Sequence, residues 1–279
     1  MSTWSPARII GTVPVEEDGS AFFKVPADVP VYFQALDENL LEVRRMRTFV
    51  TLQRGEVRGC TGCHETRDEA PQALMKVPKA LAKESVYPEP PSWGSTTLPD
   101  YEAHIHPIIV NNCQPCHGEK NPAAGLEFSS RRVDGYYQAY RTMFGLSADA
   151  PTPVQELAAF EMNQGKGHNV VVDREALRMM ERNEYPGQLI TISNKFGDNS
   201  VTEVRQFGSG NSPLIKALLS EAHLQHVKLS DKDWEDLVTW IDVNAPYWGT
   251  FIDKEPVREG EKPQRLKIQI GQPFGLENE

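Results

Sequence analysis

Basic residues are in short supply in this chain, 29 Lys and Arg against 39 Asp and Glu, and cysteine is rarer still, with four in 279 residues. The resulting formal charge of −10 excludes nucleic acid as a natural partner and favours a docking protein with a basic patch. No apolar run approaches the roughly eighteen residues that a membrane span requires. With 39% hydrophobic and 24% charged residues, the composition is that of a soluble globular protein long enough for two modest domains. The opening "MSTWSPARII" also lacks the basic region and apolar core of a secretory signal.

All four cysteines fall in two short motifs. "CTGCH" occupies Cys60 to His64, and "CQPCH" occupies Cys113 to His117. Cys-x-x-Cys-His is the attachment signature of c-type haem: two thiols add to the porphyrin vinyl groups and the adjoining histidine becomes the proximal iron ligand. Cys60, Cys63, Cys113 and Cys116 are then tethers for two covalently bound haems, with His64 and His117 on the irons. One zinc site built from both pairs is the alternative, but zinc knuckles are usually about 15–20 residues apart and need no histidine after each pair. Disulfides would leave both histidines without a purpose. Covalent haem attachment is completed outside the cytoplasm, so the motifs alone predict a periplasmic or other extracytoplasmic location. They also lead us to expect a mature chain or a segment of a longer one.

The predicted fold class is α+β, a small N-terminal β-sandwich carrying one haem site followed by a mainly helical, cytochrome c-like domain. "ARIIGTVPV", "AFFKV", "VYFQAL" and "RTFVTL" read as short strands separated by turn signals, so residues 1–70 form the sandwich with the first motif. Residues 71–99, with "PEPP" at the centre, read as a proline-rich linker. The helical domain spans 100–255 and carries the second motif, and 256–279 is a charged tail. Ile105, Ile108 and Ile109 share one helical face ahead of that motif, with Pro107 marking a kink or a first turn. Ser212 and Pro213 predict a helix start, with Leu214, Ile215, Leu218 and Leu219 as its apolar face. Ser230 and Asp233 have capping-box spacing ahead of Trp234, Leu237, Val238 and Ile241.

Seven histidines are present, so five are available as distal ligands beyond the two motif histidines. The loop "SEAHLQHVKLS" ahead of the last helix places His223 and His226 where small cytochromes c carry their distal ligand. His104 is the first choice for the other iron, with His106, His168, Met46 and Met75 as rivals. Histidine on both faces makes iron six-coordinate and suits electron transfer; an open face suits catalysis.

In this order, the N-terminal block running from "GTVPVEEDGS" through "GCTGCHE", then "HIHPIIVNNCQPCHG", then "VKLSDKDWEDLVTWIDVNAPYWGT" resembles the C-terminal di-haem region of the hydrazine synthase alpha subunit family. The resemblance covers most of residues 9–70, 100–118 and 212–250. It implies haems that pass electrons and, in the synthase itself, one haem that does chemistry. That catalytic haem is implied to have a tyrosine ligand shortly after its motif and a nearby zinc held partly by a further cysteine. Here Asp68 stands where the tyrosine is sought, and no further cysteine exists. These 279 residues hold no counterpart of the family's propeller domain either, so the expectation is that its chemistry does not carry over. Relatives carry the loop histidine slightly nearer the start than His226, which favours His223. The expectation is therefore a di-haem c-type cytochrome relaying electrons between redox partners. The alternatives are a haem enzyme with one open iron acting on a small nitrogen or oxygen species, or a haem-bearing subunit of a larger redox assembly or oligomer.

Overall fold

The computed structural model describes residues 7–46, 48–61, 77–133, 135–146, 187–192 and 203–249. Among these, β-structure is sparse. Strands β1 (Gln34–Leu36) and β2 (Glu42–Arg45) form one antiparallel ladder, and β3 (Arg132–Val133) pairs with β4 (Tyr136–Tyr137) in another. The remaining N-terminal apolar stretches stay extended and meet partners only at isolated bridges, Thr12 with Glu89, Phe23 with Val86 and Val31 with Val50. Two of these partners, Val86 and Glu89, lie in the proline-rich stretch. Prolines there limit the donors available for a continuous ladder, so single bridges are the outcome. Gly11 sits at φ 152°, and a side chain there would collide with the carbonyl of Glu89. The proline-rich stretch is thus laid against the N-terminal residues.

The helical part opens at Asp100, whose carboxylate accepts the N–H of Ala103 at 3.0 Å and caps a π-helical turn over Tyr101–Ile105. Helix α1 (His106–Asn112) follows with Pro107 in its first turn, where a missing N–H costs nothing. Ile105, Ile108 and Ile109 are all buried, as their spacing predicts. Cys113 separates α1 from the single turn α2 (Gln114–His117). Helices α3 (Gln138–Met143), α4 (Pro213–Leu218), α5 (Glu221–Leu224) and α6 (Asp231–Asp242) complete the described set.

Helix α6 starts where the sequence indicates, with Ser230 Oγ accepting the N–H of Asp233 at 3.1 Å. Leu237, Val238 and Ile241 are buried, as is Trp240, which the periodicity had not singled out. Two expectations for α4 change. Ser212 precedes the helix, but its hydroxyl donates to the Gly208 carbonyl at 2.7 Å and accepts from Thr191 N at 2.9 Å, so it ties in the 187–192 segment instead of capping. Leu219 lies beyond the helix end and is 43% exposed, while Leu214, Ile215 and Leu218 enter the core.

One hydrophobic core joins α1, α3, α4 and α6 with Leu41 of the β1–β2 hairpin. A buried polar group fastens the same hairpin to α6. Glu42 pairs with Arg45, and the carboxylate of Asp242 accepts Ser209 N at 2.6 Å and Ser209 Oγ at 2.8 Å. Ser209 Oγ in turn accepts the N–H of Glu42 at 3.0 Å. Burial, then the charge of Glu42, raises the pKa of Asp242 well above the carboxylate range. Gly208, at φ 69°, passes so close that any side chain would strike Asp242.

Candidate functional site

The second motif forms one helical turn. The N–H groups of Cys116 and His117 donate to the carbonyl of Cys113 at 3.2 and 3.0 Å. Cys113, Cys116 and His117 therefore stand at i, i+3 and i+4, on one face. Cys113 is half-buried against the core and Cys116 is exposed; both thiols are free, as is that of Cys60. Burial, then the neighbouring Cys116, pushes the Cys113 thiol up to about 11, so it rests protonated at neutral pH.

The chain then returns across its own turn. Gly118 leaves in extended geometry, and Ala124 and Gly125 turn the loop with positive φ values of 53° and 71°. Phe128 N donates back to the His117 carbonyl at 2.6 Å, and its ring meets the His117 imidazole edge-on at 5.2 Å. The loop delivers the Leu126 carbonyl to His117 Nδ1 at 3.1 Å. A carbonyl can only accept, so the proton sits on Nδ1 and the Nε2 lone pair is left for a metal. A backbone carbonyl orienting the imidazole in this way is a recurring device behind metal-bound histidine.

At the first motif, Cys60 is exposed on an irregular stretch. Cys63 and His64 lie outside the described residues, as do His168 and Met75. Among the described residues no three of His, Cys, Asp and Glu gather as a metal-binding group, so Cys60 does not join Cys113 and Cys116 in one cluster.

The proposed distal ligands are placed differently from one another. His104 Nδ1 accepts the backbone N–H of Asp100 at 3.0 Å, which puts the ring proton on Nε2. In this arrangement Nε2 offers no lone pair. Burial lowers the His104 pKa against the opposing pull of Asp100 and Asp236, keeping the ring neutral. His104 stacks near Trp93, with ring centres 5.1 Å apart, in a cleft of about 400 Å³ bounded also by Pro107, Ile108, Lys232 and Asp236. His106 is a core residue. Its Nε2 meets Ser130 Oγ at 3.0 Å and its ring stacks on Tyr137 at 3.7 Å. His223 is half-buried on α5, its Nδ1 3.4 Å from Ser220 Oγ, and His226 is exposed just beyond. Leu219 and Leu224 beside them are 43% and 52% exposed, an apolar margin around the same loop. No sequence signal announces the Leu126 carbonyl, since every residue type carries one.

A family model described as the hydrazine synthase alpha subunit middle domain matches residues 1–65. Hydrazine synthase subunit alpha of Kuenenia stuttgartiensis is 24% identical over 297 residues, covering 86% of this chain. The chain spans 32% of that relative's length, about a third of it. No solved structure matches. Both the N-terminal match and the longer alignment lead to one conclusion: this chain resembles the hydrazine synthase alpha subunit family.

Proposed function

We propose that the chain is a di-haem c-type cytochrome unit that passes electrons between redox partners outside the cytoplasm. Cys60 and Cys63 tether one haem and Cys113 and Cys116 the other, with His64 and His117 as proximal ligands. The observation that carries the reading is the second motif: two free thiols and an imidazole on one face of one turn, with Nδ1 held by Leu126 so that Nε2 faces away. That donor set fits a covalently held haem. When bound, the haem supplies a reversible one-electron iron couple; the chain supplies attachment, ring orientation and burial.

His223 is the proposed distal ligand at the second site, because it is half-buried within the apolar margin of Leu219 and Leu224 while His226 is exposed. His104 can reach the first iron only by giving up its bond to Asp100. The net charge of −10 favours partners with a basic patch. The similar protein is named as a subunit, which favours action within a larger assembly. Among the described residues no helix is long and apolar enough to cross a membrane.

The second reading, favoured by the relative's name, is a haem enzyme acting on a small nitrogen species. One experiment separates the two: the visible spectrum of the reduced protein before and after carbon monoxide, with haem counted per chain. Two haems with low-spin bands that ignore carbon monoxide support electron transfer. A band that shifts marks an open iron and supports the enzyme. A chain free of haem overturns both.

A further inference from the structure

Tyrosine is concentrated where the core has no need of it. Tyr101, Tyr136, Tyr140 and Tyr247 join Trp240 and Trp248 in one array drawn from distant parts of the chain. Tyr101 stacks on Tyr247 at 5.4 Å and 24°, and Tyr101 lies 5.4 Å from Trp240. Tyr247 meets Tyr140 at 4.8 Å and Tyr136 at 4.7 Å, and Tyr136 continues to Trp248 at 4.9 Å. Phenylalanine would fill this space without buried hydroxyls to satisfy.

The hydroxyls are not equivalent. Tyr140 Oη donates to the Ala245 carbonyl at 3.0 Å, an acceptor too weakly basic to take a proton. Tyr101 Oη and His106 Nδ1 are 3.5 Å apart, at the limit of a hydrogen bond. Tyr247 Oη alone among these three donates to a carboxylate, Glu102 Oε1, at 2.9 Å, and it accepts the N–H of Tyr137 at 3.0 Å. Arg132 Nη1, 2.8 Å from the same Glu102 oxygen, holds that carboxylate in place. A phenol gives up an electron readily when its proton leaves along a short hydrogen bond to a base, and geometry comes first in choosing that base.

We propose that Tyr247, with Glu102 as its proton acceptor, is a redox-active tyrosine that collects oxidising equivalents through the rings in contact with it. In the step, the Tyr247 phenol gives one electron to a strong one-electron oxidant and its proton to Glu102. The products are a neutral phenoxyl radical, a protonated carboxyl group and the reduced oxidant. One end of the array borders the second motif, since Cys113 packs against the core that contains Tyr101. The other end, Trp248, is half-exposed. The rings thus connect the neighbourhood of Cys113 with the surface, a route for strongly oxidising equivalents rather than for ordinary haem electrons.

The test uses the full chain and a soluble oxidant, so it stands apart from the haem reading. Tris(bipyridyl)ruthenium, flash-oxidised to its trivalent form, supplies the oxidant, and freeze-trapped electron paramagnetic resonance reads the radical. The expected result is a phenoxyl signal whose formation slows in D2O, which is lost in Tyr247→Phe and kept in Tyr140→Phe. Glu102→Gln retains an acceptor oxygen but not the base, and is expected to lower the yield and abolish the D2O effect. It also serves as the second probe should Tyr247→Phe fail to fold by circular dichroism. A wild-type signal in either Tyr247→Phe or Glu102→Gln, or equal loss in Tyr140→Phe, overturns the proposal.

Discussion

Replacing His106 with phenylalanine is expected to invert the stability ranking of variant and wild type as the pH falls. His106 is 7% exposed, and burial, then the nearby Arg132 charge, lowers its pKa from 6.5 to about 4. A histidine whose folded pKa lies below the unfolded one stabilises the fold above pH 6.5 and loses that contribution as pH falls toward the folded value. A shift of about 2.5 units at ~1.36 kcal/mol per unit gives a loss of about 3 kcal/mol across that window. Phenylalanine keeps the stack on Tyr137 and removes the titration. It also removes the 3.0 Å contact with Ser130, which costs about 1 kcal/mol at neutral pH. The two stability curves therefore cross between about pH 5 and 6. Urea unfolding followed by circular dichroism at a series of pH values reads this directly. Carboxylates titrate in both proteins, so the difference between them is the quantity to follow. Parallel curves with no crossing would refute the reasoning, because they would mean that His106 accepts its proton as easily folded as unfolded.

The remaining expectations concern the site and the buried charges. His117→Ala and Cys116→Ser should each reduce the haem count per chain, read by the pyridine haemochrome spectrum; unchanged counts would remove the second motif from the attachment chemistry. His223→Ala should make the second haem sensitive to carbon monoxide while His226→Ala should not, and the reverse pattern would transfer the distal role to His226. Arg45→Met leaves Glu42 and Asp242 buried together without their cation, and should cost about 3–5 kcal/mol in denaturant unfolding at neutral pH. Acidification should shrink that cost, since the Asp242 carboxyl, held above the carboxylate range by burial and by the charge of Glu42, binds its proton more readily when folded. Gly208→Ala should destabilise by about 1–3 kcal/mol through its clash with Asp242 and its positive φ, measured by thermal melting.

Much of the helical part was legible because its signals are local. Ser230 precedes α6 at capping distance and Leu237, Val238 and Ile241 repeat at helical spacing, so both start and buried face follow from neighbours in sequence. The same holds for Ile105, Ile108 and Ile109. The N-terminal half was less so. Its apolar stretches meet residues such as Val86 and Glu89 far along the chain, and periodicity cannot name a distant partner. Strand β2 reads "EVRR", a solvated pattern, yet Glu42 is buried because Arg45 and Ser209 satisfy it. At the site, cysteine and histidine spacing located the second motif. The Leu126 carbonyl and the Asp100 N–H, which set the tautomers of His117 and His104, are backbone groups and leave no mark in side-chain chemistry.

The described part of the proline-rich stretch, residues 77–99, is pinned at both of its neighbours. Thr12 and Glu89 exchange backbone hydrogen bonds of 2.9 and 2.8 Å, and Ser92 Oγ donates to the Asp236 carboxylate of α6 at 2.7 Å. A spacer would let its two ends melt independently. A strap fixed to the N-terminal residues on one side and to the last helix on the other makes loosening of one end pull on the other. The described residues should therefore unfold in one cooperative transition, and cutting the chain within 84–92 should split that transition in two.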